Sequence, residues 1–517
     1  MKNRIKYNLI VVFLGICTLV GCDEFLEEDL RSAITPDNFF NSDAEAVLAV
    51  NGIYRYLHNN NLYRQRGLDN YYTSGADIQG PSRNVNGAIH NYLIAEGVAD
   101  GNDTWNVCYE IVNGTTEFLA NIEGNESMSE DAKNQAIGEL LFLRALAYFH
   151  LTNLWGDVPY IREVLAPIVA AELGRESKIT IRTDMKADLA RAIDLLPVSY
   201  GSADLGRASK WAALALKAKF HLFDKEWAEC KTACDNIIDN SSHTLLPNYA
   251  DVFDPENEFN NELIWEVDFV ADQDNDLRTT RTDDYNPRIR DEPFNINGDT
   301  IISGITYVRV DYFQNVVLDA LNEDMTGYGW SVPLPDFALR ESWEAGDFRY
   351  DATIVTEYQG WKLNFPYFRK NWNLSQDTSL RENHPENFIV FRLADIFLMA
   401  AEAENELNGP DNAYGYVNTV RERAFEPDQP WADLDQTGFR EAMYDERKFE
   451  LSAEGHRRMD LIRWGILLDV VQNTTHRSFN NPAANIQPRH VLLPIPQDQL
   501  LLNPNLLDSD PTNNGYR

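Results

Sequence analysis

Aromatic side chains concentrate in one stretch of this 517-residue chain. Between residues 325 and 372, twelve of 48 residues are Phe, Trp or Tyr, against 11% in the whole chain. Flat rings offer apolar faces to a ligand, while Asp, Asn and Gln side chains offer directional hydrogen bonds. The chemistry open to this stretch is therefore noncovalent binding, and packing in the core is the alternative for each ring.

The candidate binding residues come from two parts of the chain. Gly327 and Gly329 flank Tyr328 and Trp330, which allows these two rings to sit on a projecting turn. A polar stretch that follows the helix predicted at about 42–57 supplies further hydrogen-bonding groups. Because the surrounding sequence is rich in turn signals, we expect several of the rings to be exposed. The predicted ligand contacts are Asn70, Tyr71, Tyr72, Asp77, Gln79, Tyr328, Trp330, Trp361 and Trp372.

A charge-dense stretch near the C-terminus has the residue types of an acid–base site. Glu446, Glu450 and Glu454 are spaced by four and would lie on one side of a helix. General acid–base catalysis would require a cleft and shifted pKa values, whereas charges that pair across packed helices need neither. The chain lacks the short motifs of metalloproteases, phosphate-binding loops and serine hydrolases. We therefore predict a scaffold role, with Arg392 and Arg421 as ion-pair partners, and no catalytic residue.

Cysteine and acidic residues give no metal or cofactor signal. Two of the five cysteines fall in the first 22 residues, and the odd remainder, Cys108, Cys230 and Cys234, argues against a disulfide framework. We expect these three to be buried as small hydrophobic side chains. A structural calcium ion in the acidic loops at 272–276 or 283–284 is possible but is not predicted, because the spacing does not match an EF-hand.

The charge balance excludes one class of partner. The chain has 45 basic and 81 acidic residues, a formal charge of −36, with 44% hydrophobic residues. That composition is typical of a soluble globular protein. Such an excess of negative charge repels phosphate backbones, so nucleic acid is not an expected partner.

The first 22 residues have the pattern of a lipoprotein export signal. A basic start is followed by an apolar run at 9–20, which at about 1.5 Å per residue is too short to cross a bilayer as a helix. The sequence Leu19-Val20-Gly21-Cys22 resembles a bacterial lipobox. We predict that residues 1–21 are a signal peptide and that Cys22 is acylated and anchors the mature chain to a membrane.

Helical periodicity organises most of the rest. Helices are predicted at about 129–154, 209–223, 227–238 and 439–464, with a further helix pair at 388–424. The pair lengths are close to the roughly 34-residue tetratricopeptide unit, which buries its face by stacking on neighbours. We predict a mostly α-helical repeat scaffold of about four helix pairs. It would comprise helical parts at 22–239 and 386–517 and an inserted loop-rich region with short strands at 240–385, with 22–517 forming one compact unit.

Several segments together resemble the RagB/SusD family of outer-membrane nutrient-binding lipoproteins. They follow one another in family order along essentially the whole chain, and the region 240–385 is the part without such resemblance. The segments are Arg144 to Phe149 with Trp155 to Tyr160, Gly206 to Ala218, Arg392 to Asp395, Asn418 to Ala424, Glu446 to Gly465, and Pro494 to Pro496 with Asn503 to Asn505.

The resemblance implies a function that the residues alone do not give. Members of the family are non-catalytic surface lipoproteins with a tetratricopeptide-like fold that capture oligosaccharides or polysaccharide and pass them to a SusC-like TonB-dependent transporter. The chain is therefore expected to be lipid-anchored at the cell outer membrane, facing the exterior. Two alternatives remain open: a glycoside hydrolase lipoprotein of the same uptake system, and a family member that binds peptide or serves mainly as the transporter lid.

Overall fold

The computed structural model describes most of the chain after the N-terminal segment. The predicted signal peptide and Cys22 lie outside the described residues. Within them, every helix is too short or too polar to cross a lipid bilayer. The described ranges are 40–65, 67–81, 87–98, 101–271, 277–286, 301–302, 305–306, 309–310, 314–315, 332–358, 361–373, 383–475 and 481–517. Only the backbone is described for 81, 301–302, 305–306, 309–310, 314–315, 337, 357–358 and 361–365.

Helices dominate the described residues, as predicted. In the first half they are α1 Asp43–Leu57, α2 Gly67–Thr73, α3 Gly87–His90, α4 Asn102–Ile122, α5 Glu130–Leu154, α6 Pro167–Ala170, α7 Lys178–Leu195, α8 Lys210–Phe223 and α9 Trp227–Asn240. In the second half they are α10 Arg281–Tyr285, α11 Phe337–Ser342, α12 Arg349–Thr353, α13 Leu393–Asn408, α14 Pro410–Glu422, α15 Gln436–Glu450, α16 Arg457–Trp464, α17 Leu467–Asn473, α18 Pro482–Asn485 and α19 Gln497–Leu502.

The long helices stack in sequence as helix pairs. Helix α5 packs between α4 and α7, α7 packs on α8, and α8 packs on α9. The predicted boundaries of α5 hold because Ser129 caps its first turn and Gly156, at φ +77°, takes a conformation that a helix cannot continue. Alanines 212, 213, 215 and 218 are fully buried, so neighbouring helices approach α8 closely. The stacking that the repeat pattern predicts is confirmed.

The helical stack continues across the inserted region. Helix α9 packs on α13, and α13 packs on α14 and α15, although about 150 residues separate α9 from α13 in sequence. The described core therefore joins N-terminal and C-terminal helices in one hydrophobic cluster. The boundaries at 239 and 385 between the predicted parts stay a prediction.

The inserted region contributes short antiparallel strand pairs. Two of these pairs matter for the site: β1 with β7, and β2 with β10. The strands are β1 Gln79–Pro81, β2 Leu263–Val267, β3 Ile301–Ile302, β4 Ile305–Thr306, β5 Arg309–Val310, β6 Gln314–Asn315, β7 Pro333–Pro335, β8 Ile354–Tyr358, β9 Trp361–Phe368 and β10 Phe388–Arg392.

Two predicted helices have different bounds in the structure. The helix predicted at 439–464 is α15 and α16, separated by a turn in which Ala453 and Gly455 have φ of 60° and 78°. Such left-handed backbone ends a helix. The pair predicted from residue 388 begins with strand β10 instead, because the run Phe388-Ile389-Val390-Phe391 is aromatic and β-branched and pairs with β2.

Candidate functional site

The N-terminal candidates lie on α2 and the short segment after it. Most of them are held by internal contacts. The Tyr72 hydroxyl lies 2.6 Å from His150 Nδ1, and the Tyr63 hydroxyl lies 2.8 Å from His150 Nε2. Burial lowers the pKa of His150 to about 3, so the ring is neutral. Tyr71 is half-buried against the core. This part of the predicted site is therefore anchored to helix α5.

The polar candidates beside them are also buried. Asn70 Oδ1 accepts a hydrogen bond from Ser74 Oγ at 2.9 Å. Gln79 Nε2 donates weakly to the same Ser74 Oγ at 3.4 Å. Asp77 forms a two-pronged ion pair with Arg457, both contacts at 2.7 Å. These side chains fix the segment to α2 and α16, and their predicted glycan contacts stay a prediction.

Strand pairing joins the two parts of the chain that were predicted to form the site. Gln79 lies opposite Pro335 and Gly80 opposite Leu334 in the β1–β7 pair. The Asp336 N–H also donates to the Ile78 carbonyl at 2.9 Å. The N-terminal segment and the edge of the aromatic-rich stretch therefore adjoin each other.

The predicted rings of the inserted region differ in what the structure says about them. Tyr328 and Trp330 lie outside the described residues, and for Trp361 only the strand backbone is described. Trp372 is half-buried, and its indole N–H donates to the Tyr285 carbonyl at 3.0 Å. The expectation that several rings are exposed fails for Tyr367, which is 1% exposed because the core around Leu334 and Val355 covers it.

Trp372 lines an open cleft at the base of the inserted region. The cleft is open to solvent, and the volume inside it that the centres of water-sized molecules can reach is about 60 Å³. Rings and polar side chains alternate along its lining. The main lining residues are Phe253, Glu258, Glu266, Arg281, Thr282, Lys370, Asn371, Trp372, Glu386, Asn387, Phe388 and Ile389.

Two backbone pairings bring these residues together. In the β2–β10 ladder, Glu266 lies directly opposite Ile389, which puts both side chains on the same face of the pair. Thr279 and His384 exchange backbone hydrogen bonds of 2.8 and 3.2 Å. The second pairing sets Arg281 and Thr282 beside the segment that carries Glu386 and Asn387.

Arg281 forms a rigid corner of the cleft. Its guanidinium carbon lies 4.8 Å from the ring centre of Tyr285 and 4.7 Å from that of Phe388. One guanidinium nitrogen donates to the Ala453 carbonyl at 3.0 Å, and another hydrogen-bonds Asn371. A planar cation held on two aromatic rings in this way keeps one orientation.

The cleft gathers titratable groups whose pKa values lie near neutrality. Burial raises the pKa of Glu258 to about 7 and that of Glu266 to about 8, and their mutual repulsion adds to the effect on Glu266. Burial lowers the pKa of Lys370 to about 8, partly offset by Glu454. Shifted groups in a cleft are typical of binding and catalytic sites, and structural networks produce them as well.

No local sequence signal marks most of this cleft. Its lining comes from separate stretches of the chain that contain Glu258 with Glu266, Arg281, and Phe388. Only Trp372 was among the predicted site residues. The one sequence feature that points toward the others is the change from helical periodicity to turn-rich sequence at 240–385, which contains three of these four residues.

The charge-dense stretch forms a buried network that we call the ion-pair centre. Its acidic members are Glu262, Asp347, Glu446, Glu450 and Glu454, and its basic members are Arg349, Lys370, Arg392, Arg421 and Arg423.

Glu450 lies at the middle of this centre. Its carboxylate contacts Arg392 and Arg423 at 2.6 Å and Arg349 at 2.9 Å. Burial would raise the pKa of Glu450, but the three guanidinium charges outweigh it and hold the pKa well below its usual range. The predicted pairing with Arg392 and Arg421 is confirmed, while Glu454 lies in the turn after α15 rather than on the helix.

The cysteine prediction holds. Cys108, Cys230 and Cys234 are free thiols, and all three are buried. Among the described residues, His, Cys, Asp and Glu side chains form no group of three or more that could hold a metal ion. Asp283, in one of the loops considered for calcium, is 3.0 Å from His384 Nε2, and loop 272–276 lies outside the described residues.

Comparison with known proteins gives consistent matches along the chain. The family model described as "SusD family" matches residues 341–516, and the model described as "Starch-binding associating with outer membrane" matches residues 24–222. SusD-like protein P25 of Formosa agariphila is 44% identical over 538 aligned residues, which cover 99% of each chain. The starch-binding protein SusD of Bacteroides thetaiotaomicron is 22% identical over 394 residues, or 68% of each chain.

Solved structures match the fold as well. A laminarin-binding SusD-like protein superposes with a TM-score of 0.71 at 23% identity, covering 89% of this chain and 97% of that one. Surface glycan-binding protein A from Bacteroides thetaiotaomicron, in complex with laminarihexaose, superposes with a TM-score of 0.69 at 19% identity, covering 92% of this chain and all of that one. At these identities the likeness concerns the fold, and it confirms the predicted helical-repeat architecture.

Proposed function

Because the chain belongs to the SusD family, we propose that it is a surface glycan-binding lipoprotein that captures oligosaccharides or polysaccharide and delivers them to a SusC-like TonB-dependent transporter. Acylated Cys22 would hold it on the outer membrane, facing the exterior. No bond in the glycan is made or broken in this role. The names of relatives that bind starch, laminarin or laminarihexaose support carbohydrate as the ligand class.

The observation that carries the proposal is the cleft at the base of the inserted region. Phe253, Trp372 and Phe388 supply apolar faces, while Asn371, Asn387 and the acidic side chains supply directional hydrogen-bonding groups. This is the pairing of surfaces that a sugar ring requires. In the acidic stretch with the spacing of an acid–base site, Glu446 and Glu450 are 1% and 0% exposed within the ion-pair centre. Glu454, which also lines the cleft, is paired with Arg392 and Lys370.

One experiment distinguishes glycan binding from glycan hydrolysis. The mature protein is run in native gels that contain different polysaccharides, and the same mixtures are assayed for released reducing ends. We expect retarded migration in at least one polysaccharide and no released ends. Release of reducing ends would instead support the glycoside hydrolase alternative and overturn the non-catalytic proposal.

Substitution of single tryptophans tests which rings bind. Trp330→Ala and Trp361→Ala are expected to reduce retardation in the gel at an unchanged melting temperature. Trp343→Ala is the matched core control: its ring packs 4.9 Å from that of Phe449, so this variant should melt earlier and keep its glycan contacts. Retardation that survives both Trp330→Ala and Trp361→Ala would contradict the prediction that these two rings contact the glycan.

The transporter partner is tested separately. A native pull-down from outer membranes should recover a TonB-dependent transporter with the full-length lipoprotein and lose the membrane association when Cys22 is replaced by Ser. Recovery of the transporter together with failure of every glycan to bind would favour the transporter-lid alternative. Recovery of no transporter would contradict the delivery step.

A further inference from the structure

Two glutamates form one side of the cleft, which we call the carboxyl wall. Glu258 Oε1 accepts a hydrogen bond from the Asn387 N–H at 2.7 Å, and Glu266 Oε2 accepts one from the Phe259 N–H at 2.7 Å. Within the described part of the chain, neither carboxyl group has an ion-pair partner, and the second oxygen of each accepts no hydrogen bond. Glu266 is 2% exposed, and its side chain lines the cleft.

The cations that also line the cleft have partners outside the wall. Arg281 donates to Asn371 and to the Ala453 carbonyl, while its buried Nε has no hydrogen-bond partner among the described residues. Lys370 donates to Glu454 at 2.7 Å and to the Glu450 carbonyl at 3.0 Å. The raised pKa values of both wall glutamates agree with this geometry, since a cation in contact with either carboxyl group would lower its pKa.

Asn387 adds an unused donor beside the wall. Its Oδ1 accepts a hydrogen bond from the Phe269 N–H at 2.8 Å, which fixes the orientation of the amide. Its Nδ2 is buried and has no hydrogen-bond partner among the described residues. A buried donor without a partner is costly, and a ligand or water that accepts from it removes that cost. Neighbouring Phe388 supplies an aromatic ring in the same lining.

These contacts define a ligand by its chemistry. We propose that the carboxyl wall is a subsite for a sugar unit without acidic substituents, whose hydroxyl groups donate to Glu258 and Glu266 and accept from Asn387. The inference rests on the proposed glycan-binding function and names the substrate class of the cleft. A sugar carboxylate or sulfate at this position would be repelled by each wall glutamate that is ionised, and repulsion between charges is strong in a water-poor setting.

The test compares matched neutral and acidic sugars. The probes are the methyl glycosides of glucose, galactose and mannose and of the corresponding uronic acids. Protein labelled with 5-fluorotryptophan reports binding through the fluorine signal of Trp372, which lines the cleft and is assigned with Trp372→Phe. We expect at least one neutral glycoside to shift this signal and to bind about tenfold more tightly than its uronic acid at pH 7.5.

Substitution of the wall should remove this selectivity. In Glu258→Gln with Glu266→Gln, the ratio between neutral and acidic sugar should fall to about threefold or less, because the amides keep the shape without the charge. Glu256→Gln, at an exposed position two residues from Glu258, is the control and should keep the wild-type ratio. Melting curves of all variants confirm that they are folded.

Failure of the inference is distinguishable from failure of the proposed function. The inference is overturned if uronic acids bind the wild type as tightly as their neutral partners, if the double variant keeps the ratio, or if no sugar shifts the Trp372 signal. Each of these results leaves the proposed function intact as long as polysaccharide still retards the protein in native gels. Loss of retardation in every polysaccharide tested is the result that removes the proposed function itself.

Discussion

The ion-pair centre and the carboxyl wall place the same side chain in opposite electrostatic settings. Glu450 and Glu266 are both buried, at 0% and 2% exposed. Glu450 is surrounded by three arginines, which hold its pKa well below the usual range, whereas Glu266 faces another glutamate and has a pKa of about 8. Burial raises the pKa of both, and the neighbouring charges decide the outcome.

The difference shows which buried acids belong to the scaffold and which are available to a ligand. A fully buried carboxylate whose oxygens contact guanidinium groups, such as Glu450, is out of reach of a sugar hydroxyl. A carboxyl group with one unused oxygen in a cleft does. The density of acidic residues in the sequence points to the ion-pair centre, while the structure points to the carboxyl wall.

Removal of a central cation should have the largest effect on stability. In Arg392→Met, Glu450 and Glu454 lose the guanidinium that contacts both, leaving buried charge uncompensated. We expect the free energy of unfolding to fall by about 3–5 kcal/mol, measured by chemical denaturation. Arg440→Met, which breaks the half-exposed pair with Glu406, is the control and should cost about 1 kcal/mol or less. Equal losses would contradict the distinction between buried and surface pairs.

A Glu→Gln substitution inside the ion-pair centre should lower the free energy of unfolding. Glu450→Gln keeps the shape of the side chain but removes the charge shared by Arg349, Arg392 and Arg423. A loss of about 2–3 kcal/mol in the free energy of unfolding is expected at pH 7. A variant as stable as the wild type would mean that the arginines are compensated by other groups.

Acid should destabilise the protein by protonating buried carboxylates that are paired with arginines, such as Asp460. Burial would raise the pKa of Asp460, but Arg447 and Arg463 outweigh it and hold the value at about 2. A group with a depressed folded-state pKa contributes stability above its unfolded pKa, near 4, and loses it as the pH falls toward 2. This residue alone should account for about 2 kcal/mol, visible as a fall in melting temperature between pH 4.5 and pH 2.5. A melting temperature that is flat over that range would refute the assignment.

Glu266→Gln should have an effect of opposite sign. The raised pKa of Glu266 means that its contribution to stability is fully present below about pH 4.5 and is lost as the pH rises toward 8. The amide does not titrate, so the variant should come close to the wild type at pH 4.5 and exceed it by about 4 kcal/mol at pH 7.5. Denaturation curves at both pH values provide the comparison, and a variant destabilised at pH 7.5 would show that Glu266 is ionised and paired.

Helix positions were largely predictable because their causes are local. Ser129 and Gly156 mark the ends of α5, and the alanines of α8 mark a close helix contact. The break between α15 and α16 was missed because Ala453 adopts a left-handed conformation that alanine rarely takes. Gly455 is the local signal of a helix end in that turn, and the ion pair of Glu454 with Arg392 fixes the turn in the fold.

The candidate site was predictable only in part. Trp372 was identified from aromatic density and lines the cleft, whereas Asp77 was chosen as a polar contact and is paired with Arg457, 380 residues away. The sequence also gave Glu258 and Glu266 no distinction among 81 acidic residues. Their special setting depends on which charges are absent around them, and spacing along the chain contains no information about that.

Composition, periodicity and family motifs by themselves determined the helical-repeat class and the family, because helix caps, repeat lengths and motif order are properties of neighbouring residues. Only the tertiary structure decided which acids are neutralised and which remain available. The pairing of β2 with β10 and of Thr279 with His384 brings four distant stretches to one cleft. Electrostatic interactions in a water-poor interior depend on distances through space, and these are set by packing rather than by position in the chain.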